Sequence, residues 1–252
     1  ILGIFQSHFD KNLYRNLFIF LITYICVCMD FLKNYRKFLV VFSVVSVIIL
    51  ILFYNALSPI PKLPIFQPAM VNFELVDSTI QHQKKYHRIA DFSLTNQNGK
   101  TITPLNFKGK IYVADFFFTT CPTICIAMTE NLLKVQEKII INPHVMLLSH
   151  SVNPQIDTVA QLKKYALDKG VVDTKWHLVT GGKKEIYELA RKSYLVVKEN
   201  GDGGPFDMIH TENFILVDPD RRIRGFYDGT DLDEIQRLLE ELEILIQEYF
   251  PS

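Results

Sequence analysis

Cysteine, glycine and net charge are all in short supply in this chain of 252 residues, and each shortage excludes something. Four cysteines cannot staple a disulfide-dense mini-protein, and eleven glycines rule out a collagen-like repeat. Lys+Arg and Asp+Glu balance at 27 each, with five of the bases and two of the acids in residues 1–59, which leaves 22 basic and 25 acidic residues from 60 onward. The clustered basic field that releases counterions from nucleic acid is missing, so no nucleic-acid partner is expected. No internal repeat is visible. Apolar residues are abundant, at 48% of the chain, which excludes disorder, and they are concentrated at the front.

Residues 38–54, FLVVFSVVSVIILILFY, carry no charge for 17 positions. At about 1.5 Å per residue this run crosses a hydrocarbon core of roughly 30 Å once its uncharged flank through Pro61 is included. Lys33, Arg36 and Lys37 crowd its front edge and nothing basic follows before Lys62. The charge bias predicts that 29–37 stay cytoplasmic and that the chain beyond 55 is exported. The expected setting is a single-pass bacterial-type inner membrane with a periplasmic domain, or the equivalent intermembrane-space side. A cleaved signal peptide is the competing reading, and it fits less well because the apolar run exceeds the usual 7–15-residue core of such a peptide. A second uncharged stretch, Asn16–Met29, is short for a span. Because Met29 followed by a basic segment has the layout of a signal anchor, residues 1–28 are expected to be an upstream extension of the reading frame. Four prolines in 55–71 (Pro59, Pro61, Pro64 and Pro68) predict an extended, semi-rigid linker. The folded domain is expected over 72–252.

Within that domain Asp91–Thr95 and Lys100–Thr103 alternate around Asn96-Gln97-Asn98-Gly99, a hairpin signal. Lys110–Phe118 is a nearly unbroken apolar run, which predicts a central strand buried on both faces. Helical spacing over Met128–Ile139, Ile156–Leu167 and Lys183–Lys192 alternates with predicted strands at Val145–Ser149, Trp176–Thr180 and Tyr194–Lys198. A hairpin of Phe214–Val217 and Ile223–Tyr227 follows. The last helix is expected to start on a capping box of Thr230 and Asp233, with an apolar stripe of Leu232, Ile235, Leu239, Leu242 and Ile246. The order implies an α/β fold, a thioredoxin-like sheet flanked by helices behind an N-terminal transmembrane anchor.

Chemistry is concentrated at Thr119-Thr120-Cys121-Pro122-Thr123-Ile124-Cys125. Pro122 suits the first position of a helix, which would put Cys121 at its N-terminal boundary and Cys125 one turn inside. The positive end of the helix dipole favours a thiolate there. Residues four apart have Cβ atoms roughly 5–6 Å apart, wider than the ~3.5–4.5 Å that a disulfide needs. A metal held at about 2.3 Å from each sulfur needs less adjustment. Two thiolates plus one imidazole make a soft donor set that favours Cu(I) and tolerates Cu(II). A structural disulfide, or a pair of core thiols, is the plainer alternative. Among seven histidines, His210 stands out, because it follows the flexible Gly201-Asp202-Gly203-Gly204-Pro205 and directly precedes the strand NFILVD. His150 ends a strand on the same edge and is a candidate supporting residue. His82 and His87 lie in the polar stretch QHQKKYHR, which reads as a solvated face, and His144 and His177 read as surface or core.

These residues resemble the SCO/SenC family of thioredoxin-like, membrane-anchored copper-binding proteins. The likeness rests on DFSLTNQNGKTIT, KIYVADFFFTTCPTIC, SVNPQIDT and IHTENFILVDPDRRIRGFYDG, and it covers most of 85–250. It implies copper ligation by Cys121, Cys125 and His210. It also implies delivery to the CuA site in the copper-bearing subunit of cytochrome c oxidase, with a separate copper donor upstream, or reduction of that site's cysteines by Cys121 and Cys125 as a redox pair. Two positions depart from the family pattern: Ile126 stands where a proline often follows the second cysteine, and Ile209 where an acid often precedes the histidine.

Overall fold

The computed structural model describes residues 11–57, 62–72, 76, 79–197, 209 and 211–251. The chain divides into two units, Ile1–Pro59 and Ile60–Ser252. The described part of the first is a single helix, α1 (Lys11–Leu57). Its segment Tyr35–Tyr54 is long and apolar enough to cross a membrane, and none of it is buried. The shorter apolar stretch Arg15–Tyr24 continues into it without a turn.

The second unit is built on a seven-stranded mixed sheet in the order β2-β1-β5-β4-β3-β6-β7. Its strands are β1 (Leu94–Asn96), β2 (Thr101–Ile102), β3 (Ile111–Phe117), β4 (Val145–Ser151), β5 (Trp176–Thr180), β6 (Asn213–Val217) and β7 (Ile223–Asp228). β3, β4 and β5 run parallel, while β1, β2, β6 and β7 pair antiparallel at the flanks. All seven residues of β3 are buried, as its continuous apolar run predicts. The helices are α2 (Ile124–Ile139), α3 (Val159–Lys169), α4 (Lys183–Glu188) and α5 (Leu232–Tyr249). Odd-numbered β3 residues Ile111, Val113 and Phe117 pack with Leu132 and Val135 of α2, Leu162 of α3 and Leu238 of α5. Even-numbered Tyr112, Ala114 and Phe116 pack on the other face with Ile186 and Tyr187 of α4 and with Ile89 and Phe92. Alternation along one strand thus divides the core in two.

Outside the cysteine loop and the histidines, the chain departs from the sequence reading in four places. Tyr194–Lys198 is not a strand over its described part, Tyr194–Val197. After α4 the backbone makes a π-helical turn, Leu189–Ser193, and Leu195 then takes a left-handed φ of 58°. Val196 N–H donates back to Ala190 O, so these apolar residues are core without joining the sheet. The cap of α5 is Asp231, whose carboxylate accepts from Asp233 N–H, while Thr230 is engaged with Asp228. The buried stripe of α5 is Ile235, Leu238, Leu242 and Leu245, and Leu232 is exposed.

The proline-rich segment is the fourth. From Leu63 it lies on the domain instead of spanning free space. Arg224, 1% exposed, donates from Nη2 to Leu63 O (2.8 Å) and from Nε to Pro64 O (3.1 Å). The same guanidinium bonds Glu248 (2.7 Å) and Asp218 (3.1 Å). Phe66 N–H donates to Ile223 O, and the Phe66 ring sits edge-on to Phe226.

Candidate metal and redox site

The cysteine loop leaves the carboxyl end of β3, a strand buried along its whole length. Helix α2 starts at Ile124, later than the proline suggests, because Thr123 (φ −131°, ψ −100°) is not helical. Pro122 is therefore an exposed loop residue and not the first helical one. Cys121 sits three residues ahead of the helix, with its N–H on Phe118 O (3.3 Å), and Cys125 lies in the first turn. Both are free thiols, Cys121 half-buried and Cys125 buried.

The two sulfurs have opposite electrostatics. Burial pushes the Cys121 thiol up, but hydrogen bonds from the Thr123 and Cys125 backbone, the Cys125 thiol and the Thr123 hydroxyl outweigh it, and its pKa falls below the ordinary value. Its Sγ lies 3.9 Å from Thr123 Oγ1. Burial drives Cys125 up to about 12, against a hydrogen bond from the Phe118 backbone and with help from the neighbouring Cys121 and Asp115 charges. The stabilisation of a Cys121 thiolate comes from loop amides and hydroxyls as well as from a helix end.

A buried carboxylate holds this loop. Asp157, fully buried in the β4–α3 connection, accepts from Thr119 N–H (3.1 Å), Thr119 Oγ1 (2.5 Å) and Ser151 Oγ (2.5 Å). Gln161 Nε2 adds a bond to Thr119 Oγ1 (3.0 Å). Sequence reading missed Asp157. The available signal was an acid beside the Thr158 cap of α3, after the Asn153-Pro154 turn.

His210 lies outside the described residues, as do Met208 and the preceding glycine-rich loop. Its neighbours Ile209 and Thr211 are both buried. β6 begins at Asn213 and runs antiparallel to β3, so the chain entering β6 stands at the sheet edge where the cysteine loop leaves β3. Among the described residues no group of three metal-binding side chains is assembled.

A family model described as SCO1/SenC matches residues 80–247. The chain belongs to the SCO1/SenC family. It is 35% identical over 147 residues to the SCO1 protein homolog of Bacillus subtilis, covering 58% of this chain and 76% of that one. It spans about half the length of the mitochondrial relatives it matches in Arabidopsis thaliana and Saccharomyces cerevisiae. Among solved structures it is similar to BsSco, a Sco family protein in which a disulfide switch has been identified: 29% identity, TM-score 0.55, covering 66% of this chain and 95% of that one. A SCO1/SenC family lipoprotein from Bacillus anthracis matches at 28% identity and TM-score 0.56, covering 65% and 98%. These neighbours bear out the thioredoxin-like sheet expected from the element order. Sco family proteins include copper-binding members and are involved in cytochrome c oxidase assembly.

Among the described residues His87, His144, His150 and His177 are part of the scaffold, and His82 is exposed. His150 is fully buried and stacked on Phe116 at 4.8 Å. Its Nδ1–H donates to Asp115 O (3.2 Å), and burial lowers its pKa to about 4. It belongs to the sheet face away from α2, and its Nε2 has no partner among the described residues. His87 is buried too, contrary to the solvated reading of its segment, with Nε2 at 2.8 Å from Ser193 O. His144 stacks on Phe250, and His177 is within 3.3 Å of Asn96.

Beneath Cys125, on its own face of the sheet, lies a second buried carboxyl. Ser149 Oγ donates to Asp115 and accepts from Trp176 Nε1 (2.7 Å). Desolvation raises Asp115 to about 7 despite that hydrogen bond. Met128 is 1% exposed and fills the core of the same face.

Proposed function

We propose that this protein is a membrane-anchored copper carrier that binds the ion through the thiolates of Cys121 and Cys125 and the imidazole of His210, and delivers it to the CuA site of cytochrome c oxidase. The observation that carries this reading is the pair of free thiols at the carboxyl edge of the sheet, one of them acidified, on a loop pinned by a buried carboxylate. Two sulfur donors suit copper, and Cu(I) above all, whereas Zn²⁺ would want a fourth strong ligand. Copper here is cargo: the loop binds it, and an acceptor with softer or more numerous donors removes it. The α1 span provides the anchor, with the domain on the periplasmic or intermembrane-space side. Anaerobic Cu(I) titration of the full chain in nanodiscs should show about one ion per chain, with affinity falling steeply in Cys121→Ser, Cys125→Ser and His210→Ala. Wild-type affinity in Cys125→Ser or His210→Ala would refute the ligand set.

The opposed thiol electrostatics favour a second reading, a thiol-disulfide oxidoreductase. The Cys121 thiolate attacks one sulfur of a substrate disulfide and expels the other as a thiolate. Cys125 loses its proton and attacks Cys121 Sγ, which releases the second substrate thiolate. Two electrons reach the substrate, and a Cys121–Cys125 disulfide remains. Turnover retained in His210→Ala, beside lost copper affinity, separates the two roles.

A further inference from the structure

We propose that the face formed by Lys84, Lys85, Tyr86, Arg88, Leu105 and Lys108 docks onto an anionic phospholipid bilayer. Tyr86 is 89% exposed and Leu105 78% exposed, and Tyr86 is held in a left-handed conformation (φ 67°) that aromatic residues rarely adopt. The position is fixed from below. Next to Tyr86, His87 is buried, bonded through its ring to Ser193 O and through its N–H to Gln67 Oε1 (2.9 Å), so the tyrosine ring is turned outward on a rigid base. Lys84, Lys85, Arg88 and Lys108 are exposed and have no acidic partner among the described residues. Among the described residues, the acids bordering this face are paired, Asp91 with Arg221 (2.5 Å) and Asp220 with Arg222 (2.9 Å). In a body that carries more acids than bases, this local cationic excess stands apart.

Exposed aromatic and aliphatic tips among unpaired lysines and arginines suit a lipid headgroup layer, where the ring sits at the interface and the cations meet phosphate. A cavity of 610 Å³ opens beside Arg88, Leu105 and Lys108, lined also by Phe92, Phe107, Arg221 and the ion-paired Asp91 and Asp220, so that Arg88 and Lys108 are the charge excess it offers an anionic headgroup with a short apolar body. Chain length adds a constraint, which rests on the anchored reading above. Five residues, six Cα–Cα steps, separate Leu57, the end of α1, from Leu63, which is bonded to Arg224, so the tether reaches at most about 20 Å. The docked segment borders the proposed face, since Ala69 N–H donates to Gln83 O (3.1 Å). Ile89 N–H bonds Arg221 O in the β6–β7 turn, which adjoins the start of β3, and the cysteine loop leaves the end of β3. Docking would therefore turn the thiols away from the membrane.

Hydrogen exchange on the full chain in nanodiscs can read this contact. Discs containing phosphatidylglycerol should protect backbone amides at 83–88 and 103–108 relative to neutral phosphatidylcholine discs, and 0.5 M salt should remove the difference. Lys84→Gln/Lys85→Gln/Arg88→Gln should abolish the protection, each charge shifting the docking equilibrium roughly fivefold, and Tyr86→Ser should weaken it. Equal exchange in both disc types would overturn the proposal, as would protection that survives the triple substitution. Protection by soluble glycerol phosphate in neutral discs would also overturn it, in favour of a small-anion pocket. Carbonate extraction of the same discs tests the anchor separately: release would remove the premise, whereas retention with flat exchange refutes only the docking.

Discussion

The two ends of the sheet are each organised by one buried charged side chain, and the two are chemical opposites. At the carboxyl end of β3, Asp157 only accepts, gathering the Thr119 N–H and the hydroxyls of Thr119 and Ser151. At the opposite end Arg224 only donates, to the carbonyls of Leu63 and Pro64 and to two carboxylates. The difference follows from what each segment offers. The cysteine loop has free amides and hydroxyls, so an acceptor can hold it, whereas a proline-rich strap is poor in N–H and rich in carbonyls, so it needs a donor with several arms.

Breaking the cationic hub should cost most. Arg224→Met takes from the buried Asp218 one of its two guanidinium partners, Arg222 remaining, strips Glu248 of its own, and frees the strap. A loss of about 3 kcal/mol or more is expected in chemical denaturation, with new proteolytic cleavage near residues 62–66. Unchanged cleavage would show that the Phe66, Gln67 and Ala69 contacts hold the strap without Arg224. At the acidic hub, Asp157→Ala should lose roughly 1–3 kcal/mol. It should also slow alkylation of Cys121 at fixed pH, because the loop amides that stabilise its thiolate are no longer held, while Thr119→Ser should behave as wild type. A variant that loses stability with unaltered Cys121 reactivity would mean that Asp157 supports the fold and not the thiol.

Smaller effects lie between the hubs. The Cys121 alkylation rate should rise with pH to a half-maximum below that of an ordinary thiol, while Cys125 in Cys121→Ser, still raised by burial, should react with a half-maximum above that of an ordinary thiol, as mass spectrometry can follow. Smallest is His150→Phe, which removes a buried Nε2 that has no partner among the described residues together with the Nδ1–H bond to Asp115 O, so the two effects should offset and stability should change by no more than about 1 kcal/mol at pH 7. The folded pKa near 4 lies below the ordinary 6.5, so the wild type loses stability as pH falls through that window, and the advantage of the variant should grow from pH 6.5 to 4. A constant difference across that range would place the ionisation elsewhere.

The parts legible in the sequence were those set by local pattern. The unbroken apolar run of β3 and the Gly99 turn appear where expected, whereas α2 begins at Ile124 and leaves Cys121 further from the helix than Pro122 suggests. Contacts between distant segments were not legible. Asp157 reaches back 38 residues to Thr119, and Arg224 reaches 161 residues to Leu63, and in neither case does the local pattern name the partner. The misread Tyr194–Val197 shows a subtler failure: burial was inferred correctly, but a π-helical turn had already committed the backbone hydrogen bonds elsewhere.

The chain has one tryptophan, and its indole sits at the end of the relay Trp176 to Ser149 to Asp115. Because Asp115 underlies Cys125 and titrates near neutrality, intrinsic emission becomes a built-in optical gauge of the charge under the thiol pair. No label is required, and no other indole contaminates the signal.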